Sequence, residues 1–185
     1  MIYLSAGHNS QSKSIKQDPG AVNKNGVKEG DLTIEMRNLT SQVLKMRGIP
    51  FMNDSDEESL AMYLKRIQTG SGSVVLEYHF DAAGTDEARG CTALIGEDAD
   101  RFDKLFAKEL VDVTADIMIT KNRGVISETE SHRGRLGLMR EKGTVCLLEV
   151  GFITNPTDLV GYQKNKNALA MAHADILIKY EKLNF

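Results

Sequence analysis

No apolar stretch in this 185-residue chain approaches the length of about 18 residues that a membrane-spanning helix requires, so no membrane anchor is expected. The amino terminus, Met1-Ile2-Tyr3-Leu4-Ser5-Ala6-Gly7, has neither the basic stretch nor the apolar run of a Sec signal peptide, and the expectation is synthesis in the cytoplasm. Cysteine is scarce: Cys91 and Cys146 are the only two, too few to build a thiolate zinc site. Both lie in apolar, strand-like segments, which predicts buried, reduced thiols with no chemistry of their own. The net charge of -3, with basic residues scattered along the chain, gives no electrostatic footprint for nucleic acid. Neither G-x-x-x-x-G-K-[ST] nor G-x-G-x-x-G occurs, so the glycines at 7, 20, 26 and 151 give no support to a nucleotide site. Ser5 and Ser10 flank a histidine without the G-x-S-x-G elbow of a serine hydrolase.

What is present is an ordinary globular composition, 41% apolar and 26% charged, of a size for one domain spanning 1–185. Short β-rich runs alternate with amphipathic stretches, the pattern of an α/β domain whose central sheet is mostly parallel with helices on both faces. Strands are expected at Ile2 to Ala6, Ile49 to Met52, Ser73 to Tyr78, Cys91 to Ile95 and Thr144 to Val150. Leu32, Met36, Leu39, Val43 and Met46 step at helical spacing between Gly30 and Arg47, with Gly48 as the C-cap. Further helices are expected at Glu57 to Gln68, Asp100 to Ile117, from an Asn155 cap with Pro156 at its first position, and at Gln163 to Glu181.

Three reactive side chains fall near expected strand ends: His8 after the first, His79 after the run to Tyr78, and Glu149 near the close of Val145 to Val150. Sites in open α/β sheets assemble at the carboxyl ends of parallel strands, so these residues can converge. Glu29 stands just ahead of the long helix, where an acid also suits the helix dipole. Two imidazoles and one carboxylate make the three-ligand set of hydrolytic zinc sites, with a spare carboxylate for proton transfer. The spacings alone match no compact ligand motif. A carboxylate inside a run as apolar as Val145 to Val150 is costly to bury, which favours a functional reading of Glu149. His132, Arg123 and Arg140 are read as loop groups outside the catalytic set, although any of them near a cleft suits an acidic peptide, and His173 as a residue of helix packing or surface.

Segments along nearly the whole chain resemble one family. They are Leu4-Ser5-Ala6-Gly7-His8, Asp18-Pro19-Gly20-Ala21, Gly26-Val27-Lys28-Glu29, the His79 strand, Asn122-Arg123-Gly124-Val125 and Leu147-Leu148-Glu149-Val150-Gly151-Phe152-Ile153-Thr154-Asn155. In this order they are similar to the zinc N-acetylmuramoyl-L-alanine amidases of the Amidase_3 family, which include bacterial autolysins and phage endolysins. The resemblance implies an α/β sandwich on a mostly parallel sheet, Zn2+ held by His8, Glu29 and His79, and Glu149 as the catalytic glutamate. It implies hydrolysis of the amide between N-acetylmuramic acid and L-alanine, with peptidoglycan or a muropeptide as the partner.

The family usually has Ser-x-His-x-Asn about the second histidine, whereas this chain reads Glu77-Tyr78-His79-Phe80-Asp81. An inward-pointing Asp81 would orient His79 or bias the metal. Asn9 to Gln17 is expected to form a polar loop at the rim of the cleft. With no signal peptide and no separate wall-binding domain, the expected setting is a phage or prophage endolysin, monomeric and reaching the wall after release, with a host recycling enzyme or a specially exported one as alternatives. Two other functions stay open: a non-catalytic peptidoglycan-binding module, and a zinc amidase or peptidase acting on soluble peptides.

Overall fold

The computed structural model describes residues 1–183 and places six strands and four helices in the order β1 (Ile2–Ser5), α1 (Glu29–Met46), β2 (Phe51–Asn53), α2 (Leu60–Arg66), β3 (Val74–Asp81), β4 (Cys91–Ile95), α3 (Arg101–Met118), β5 (Asn122–Ser127), β6 (Thr144–Phe152) and α4 (Pro156–Leu183). The strands form one sheet in the order β2-β1-β3-β6-β4-β5. β2, β1, β3 and β6 run parallel, β4 joins β6 antiparallel, and β5 lies parallel to β4 at the edge. The expected α/β class and mostly parallel sheet are therefore present. No helix among the described residues is long and apolar enough to cross a membrane.

Helices cover both faces unequally. The even-numbered positions of the first strands, Ile2, Leu4, Leu76, Tyr78 and Phe80, pack with Met36 of α1, Phe106 and Leu110 of α3, and Leu169 and Leu177 of α4 in the main core. The opposite set, Tyr3, Val75 and Leu147, meets Tyr63 of α2 and Leu138 of the short 3-10 turn Gly137–Arg140 in a smaller cluster. Because side chains alternate along a strand, this division fixes which face every residue of β3 and β6 presents.

Local chemistry sets the boundaries. Asn155 Oδ1 accepts from the amides of Thr157 and Asp158, so the expected cap starts α4. That helix then runs unbroken for 28 residues, where the sequence suggested two pieces, since no glycine C-cap or proline interrupts it. α2 begins at Leu60 and not at Glu57, because Ser59 supplies the cap while Glu57 and Glu58 turn their carboxylates outward to neighbouring loop and arginine groups. Gly48, at φ +68, closes α1 as expected, with the amide of Ile49 returning to the carbonyl of Leu44. β5 was not expected as a strand: it is a partly exposed edge with Gly124 in its interior, which leaves no alternating pattern to read. Cys91 and Cys146 are free and buried.

His173 is wholly buried, which settles its packing role. Its Nδ1 lies 3.2 Å from the hydroxyl of Tyr78, whose oxygen is 3.0 Å from Thr40 Oγ1, and its Nε2 lies 2.9 Å from Thr114 Oγ1. Thr114 in turn donates to the carbonyl of Leu110, so a neutral imidazole satisfies the chain that ties α1, β3, α3 and α4 together. Burial lowers the His173 pKa from 6.5 to about 3. The unfolded chain then takes a proton that the folded chain refuses, so this contribution is intact above pH 6.5 and is lost as pH falls from there toward 3. Between pH 7 and pH 4.5 the wild type should lose about 2–3 kcal/mol more stability than His173→Leu, measured by urea unfolding of both at each pH. Parallel losses in the two proteins would show that His173 does not titrate in this way.

Candidate active site

The site lies where β1, β3 and β6 end side by side. β1 pairs with β3 from Ile2↔Val74 to Ser5↔Glu77, and β3 pairs with β6 so that His79 stands opposite Glu149. His79 thus belongs to β3 itself, which continues to Asp81, and not to a loop after Tyr78. Glu77, His79 and Glu149 share the face of Val75 and Leu147, and all three are buried.

His8 reaches the same point from the turn after β1. Asp54 fixes that turn: its Oδ2 accepts from the Ala6 amide at 3.0 Å, and its Oδ1 takes Arg37 Nη1 at 2.6 Å, clamping the strand end to α1. Gly7 and Gly20 both adopt positive φ, +68 and +63, and both leave room for the site. A Cβ at Gly7 would fall 2.3 Å from His79 Nε2, and one at Gly20 would fall 2.5 Å from Glu29 Oε2.

Glu29 opens α1 and is the meeting point. Its Oε1 lies 3.1 Å from His8 Nε2, 2.8 Å from His79 Nδ1 and 3.2 Å from the amide nitrogen of Phe80, while Oε2 accepts from the Ala21 amide at 2.9 Å. The two rings are edge-on with centroids 4.9 Å apart. The remaining nitrogen of each ring is held by a further carboxylate: Asp18 Oδ2 is 3.0 Å from His8 Nδ1, and Glu77 Oε1 is 3.0 Å from His79 Nε2. Asp81 does not orient His79, as an inward orientation would have required. β6 carries one extra residue between the Glu149 and Phe152 rungs, and beyond this bulge Asp81 Oδ1 pairs with Arg133 Nη2 at 3.1 Å.

The electrostatics follow from burial among acids. Burial alone would lower the pKa of His79, but Glu29 and Glu77 raise it to about 10. Burial lowers His8 less than Glu29 raises it, so its pKa also rises. Burial would raise Glu29, yet the two imidazoles hold it well below the carboxylate range. Such a cluster favours positive charge at its centre, and a divalent cation serves as well as shared protons. His8, Glu29 and His79 each offer one ligand atom, all within 4.8 Å of one another, and could hold a metal ion. Donors about 2.0–2.1 Å from one tetrahedral ion stand roughly 3.3 Å apart, so little movement closes the three on a metal.

Glu149 lies 1% exposed, with both carboxylate oxygens buried and neither receiving a hydrogen bond of good geometry. Arg133 Nη2 approaches its Oε1 to 2.6 Å as an ion pair. Burial dominates and raises the Glu149 pKa to about 7, against the opposing pull of His79. A cleft of about 440 Å³ opens beside it, lined in part by Asp81, Lys121, Arg123, His132 and Arg133. Arg133 is a site group that the sequence reading leaves in a solvated loop, in a segment whose imidazole and guanidinium groups could meet a peptide carboxylate. It sits in the Ser131-His132-Arg133-Gly134-Arg135 segment, and only the fold shows which of those cations reaches the carboxylates. Arg140 instead pairs with buried Glu128, and Arg123 stacks over the ring of Phe152 at 5.2 Å. The Asn9 to Gln17 loop is held by Glu57, which accepts from the amides of Lys13 and Ser14 and from the hydroxyls of Ser12 and Ser14, and its Asn9 and Lys16 line a separate cavity beside His8 and Asp18.

Two imidazoles and a carboxylate converging beside a second, buried carboxylate is donor chemistry of the kind hydrolytic metalloenzymes use. Comparison with known families narrows that class: residues 2–178 match the model of N-acetylmuramoyl-L-alanine amidase, and the chain belongs to this family, Amidase_3. No curated protein matches the sequence. Solved structures share the fold across the whole chain. The CwlD amidase from Clostridioides difficile, solved in complex with the GerS lipoprotein, is 20% identical with a TM-score of 0.78, covering 98% of each chain. An N-acetylmuramoyl-L-alanine amidase from Clostridium difficile 630 is 18% identical with a TM-score of 0.76, covering 97% of this chain and 95% of that one. The catalytic domain of the CD27L endolysin targeting Clostridia difficile is 18% identical with a TM-score of 0.74, covering 96% of each.

Alanine at Gly7 meets both a positive φ and the His79 ring, so Gly7→Ala should destabilise the protein by about 1–3 kcal/mol, read as a shift in urea midpoint at constant slope. An unchanged midpoint would mean that the turn and ring relax freely.

Proposed function

We propose that the chain hydrolyses the amide between N-acetylmuramic acid and L-alanine in peptidoglycan, with His8, Glu29 and His79 holding a zinc ion and Glu149 moving the proton. The observation that carries this reading is Glu149: a carboxylate with both oxygens buried, without a well-formed hydrogen bond, directly across the β3–β6 ladder from a histidine of a metal-competent trio. Leaving such a group in a core costs several kcal/mol, which a packing residue would not offset. Two imidazoles and one carboxylate suit zinc, and oxygen-rich cages for calcium or magnesium are of a different composition.

Zinc bound by this trio supplies Lewis-acid polarisation of the amide carbonyl and acidifies the attacking water. The residues of the chain do the rest. Ionised Glu149 accepts a proton from that water, and its pKa near 7 matches the task of taking a proton and giving it back. It then delivers the proton to the alanine nitrogen as the carbon–nitrogen bond breaks. The muramoyl carbon keeps the water oxygen as a carboxyl group, and the peptide leaves as an amine. Glu77 and Asp18 hold the two rings so that His79 Nδ1 and His8 Nε2 face the centre, and the amides of Ala21 and Phe80 hold Glu29. The setting in which this activity serves is the bacterial cell wall, reached by release or by specialised export.

Glu149→Gln should lose about 10²–10⁴-fold in turnover while keeping one zinc per chain, and His79→Ala should lose the zinc itself. Mass spectrometry of muropeptide digests reads the first, as new alanine amines without new reducing sugar, and elemental analysis reads the second. Near-full cleavage by Glu149→Gln, or stoichiometric zinc in His79→Ala, contradicts the assignment.

A further inference from the structure

The 440 Å³ cleft beside Glu149 is lined by three cations, Lys121, Arg123 and Arg133, which face three carboxylates, Asp81, Glu130 and Glu149. Its position follows from the chemistry. The proton that Glu149 returns goes to the nitrogen of the departing peptide, so the peptide lies on the Glu149 side of the site and the muramoyl group on the other. The cleft that Glu149 lines is then the one that receives the stem peptide. A peptide brings free carboxylates, its own carboxyl terminus at the least, and Asp81 and Glu149 would repel them unless a cation intervenes.

Arg133 is placed to be that cation. The segment that carries it is pinned at its base by Glu128, which is 1% exposed, accepts from the Leu136 amide at 2.6 Å and pairs with Arg140. Ser131 Oγ donates back to the Glu128 carbonyl at 2.6 Å. Left-handed backbone at His132 (φ 59) and Gly134 (φ 73) turns the tip on either side of Arg133. From there the guanidinium reaches Glu149 Oε1 and Asp81 Oδ1 through a single nitrogen, Nη2, while its side chain stays 36% exposed. A guanidinium offers five N–H donors in a planar fork, so these two ion pairs leave most of its donors for another anion. Resting on the amidase reading above, we infer that Arg133 is a specificity-determining residue that binds a carboxylate of the stem peptide, with Arg123 and Lys121 completing the anion-binding wall of the cleft.

The test compares zinc-loaded wild type with Arg133→Ala and Arg133→Lys on two muropeptides that differ only in whether a stem carboxylate is free or amidated. A charge-assisted contact predicts that the wild type prefers the free acid by about tenfold or more in kcat/KM. In Arg133→Ala that preference should collapse, with the loss carried by KM, and Arg133→Lys should recover only part of it because an ammonium cannot present the fork. Calorimetry of the released stem peptides, free acid against amide, should show the same discrimination without turnover. Equal losses on both substrates, or a loss confined to kcat, would overturn the inference and make Arg133 a residue acting on Glu149 alone. If the wild type cleaves neither muropeptide, the amidase reading fails; calorimetry then still decides the inference, which falls if the free-acid peptide binds no more tightly than its amide.

Discussion

The parallel alignment of β3 with β6 decides what this protein can do. Because the two strands run in one direction and pair Val74 with Thr144, the rung near their carboxyl ends sets His79 opposite Glu149. A slip of one residue would set His79 and Glu149 on opposite faces of the sheet, one of them in the main core among Tyr78 and Leu148, and bring an apolar side chain to the cleft in its place. The slip is prevented by packing: Leu76, Tyr78 and Phe80 fit beneath α1 and α4, and the Tyr78–His173–Thr114 chain locks that face to the helices. Stability on one side of the sheet thus enforces the position of reactive groups on the other.

The reactive side is electrostatically unlike a core. Glu29, Glu77 and Glu149 are buried within reach of two imidazoles, and only Arg133 brings a permanent positive charge to Glu149. Acids this close repel one another unless something positive stands between them. In Glu29 and Glu77 the histidines serve, and a divalent cation serves better, since it interacts with all three donors at once. The same arrangement that makes the site costly to fold makes it ready for a metal. The backbone accommodates this with positive φ at Gly7 and Gly20, where any larger residue would push into the donors.

Much of this was legible before the fold was known. The strand runs around Val74 and Val145 are apolar enough to read without ambiguity, and placing His8, His79 and Glu149 at their ends needs only the rule that parallel strands converge their termini. Glu29 was legible through the family segment Gly26-Val27-Lys28-Glu29, since an acid in a first helical turn has an ordinary explanation of its own. The roles of Glu77 and Asp81 were not. Both departed from the family pattern, but a bulge in β6 separates them, sending Glu77 to His79 and Asp81 to Arg133. A bulge is a three-dimensional accommodation with no signature in a six-residue window. Arg133 read as part of a solvated loop for a similar reason: its partners are 52 and 16 residues away, and only the turn of its segment brings them together.

The central claim is that one metal ion sits among His8, Glu29 and His79. X-ray absorption at the zinc edge of the purified, zinc-loaded protein tests it most directly. The expected spectrum has two imidazole nitrogens and one carboxylate oxygen at about 2.0–2.2 Å, with a light atom in the remaining position and no sulfur. In His8→Ala the zinc, and with it this shell, should be lost. Sulfur among the scatterers, or an unchanged shell in that variant, would place the metal elsewhere and contradict the account.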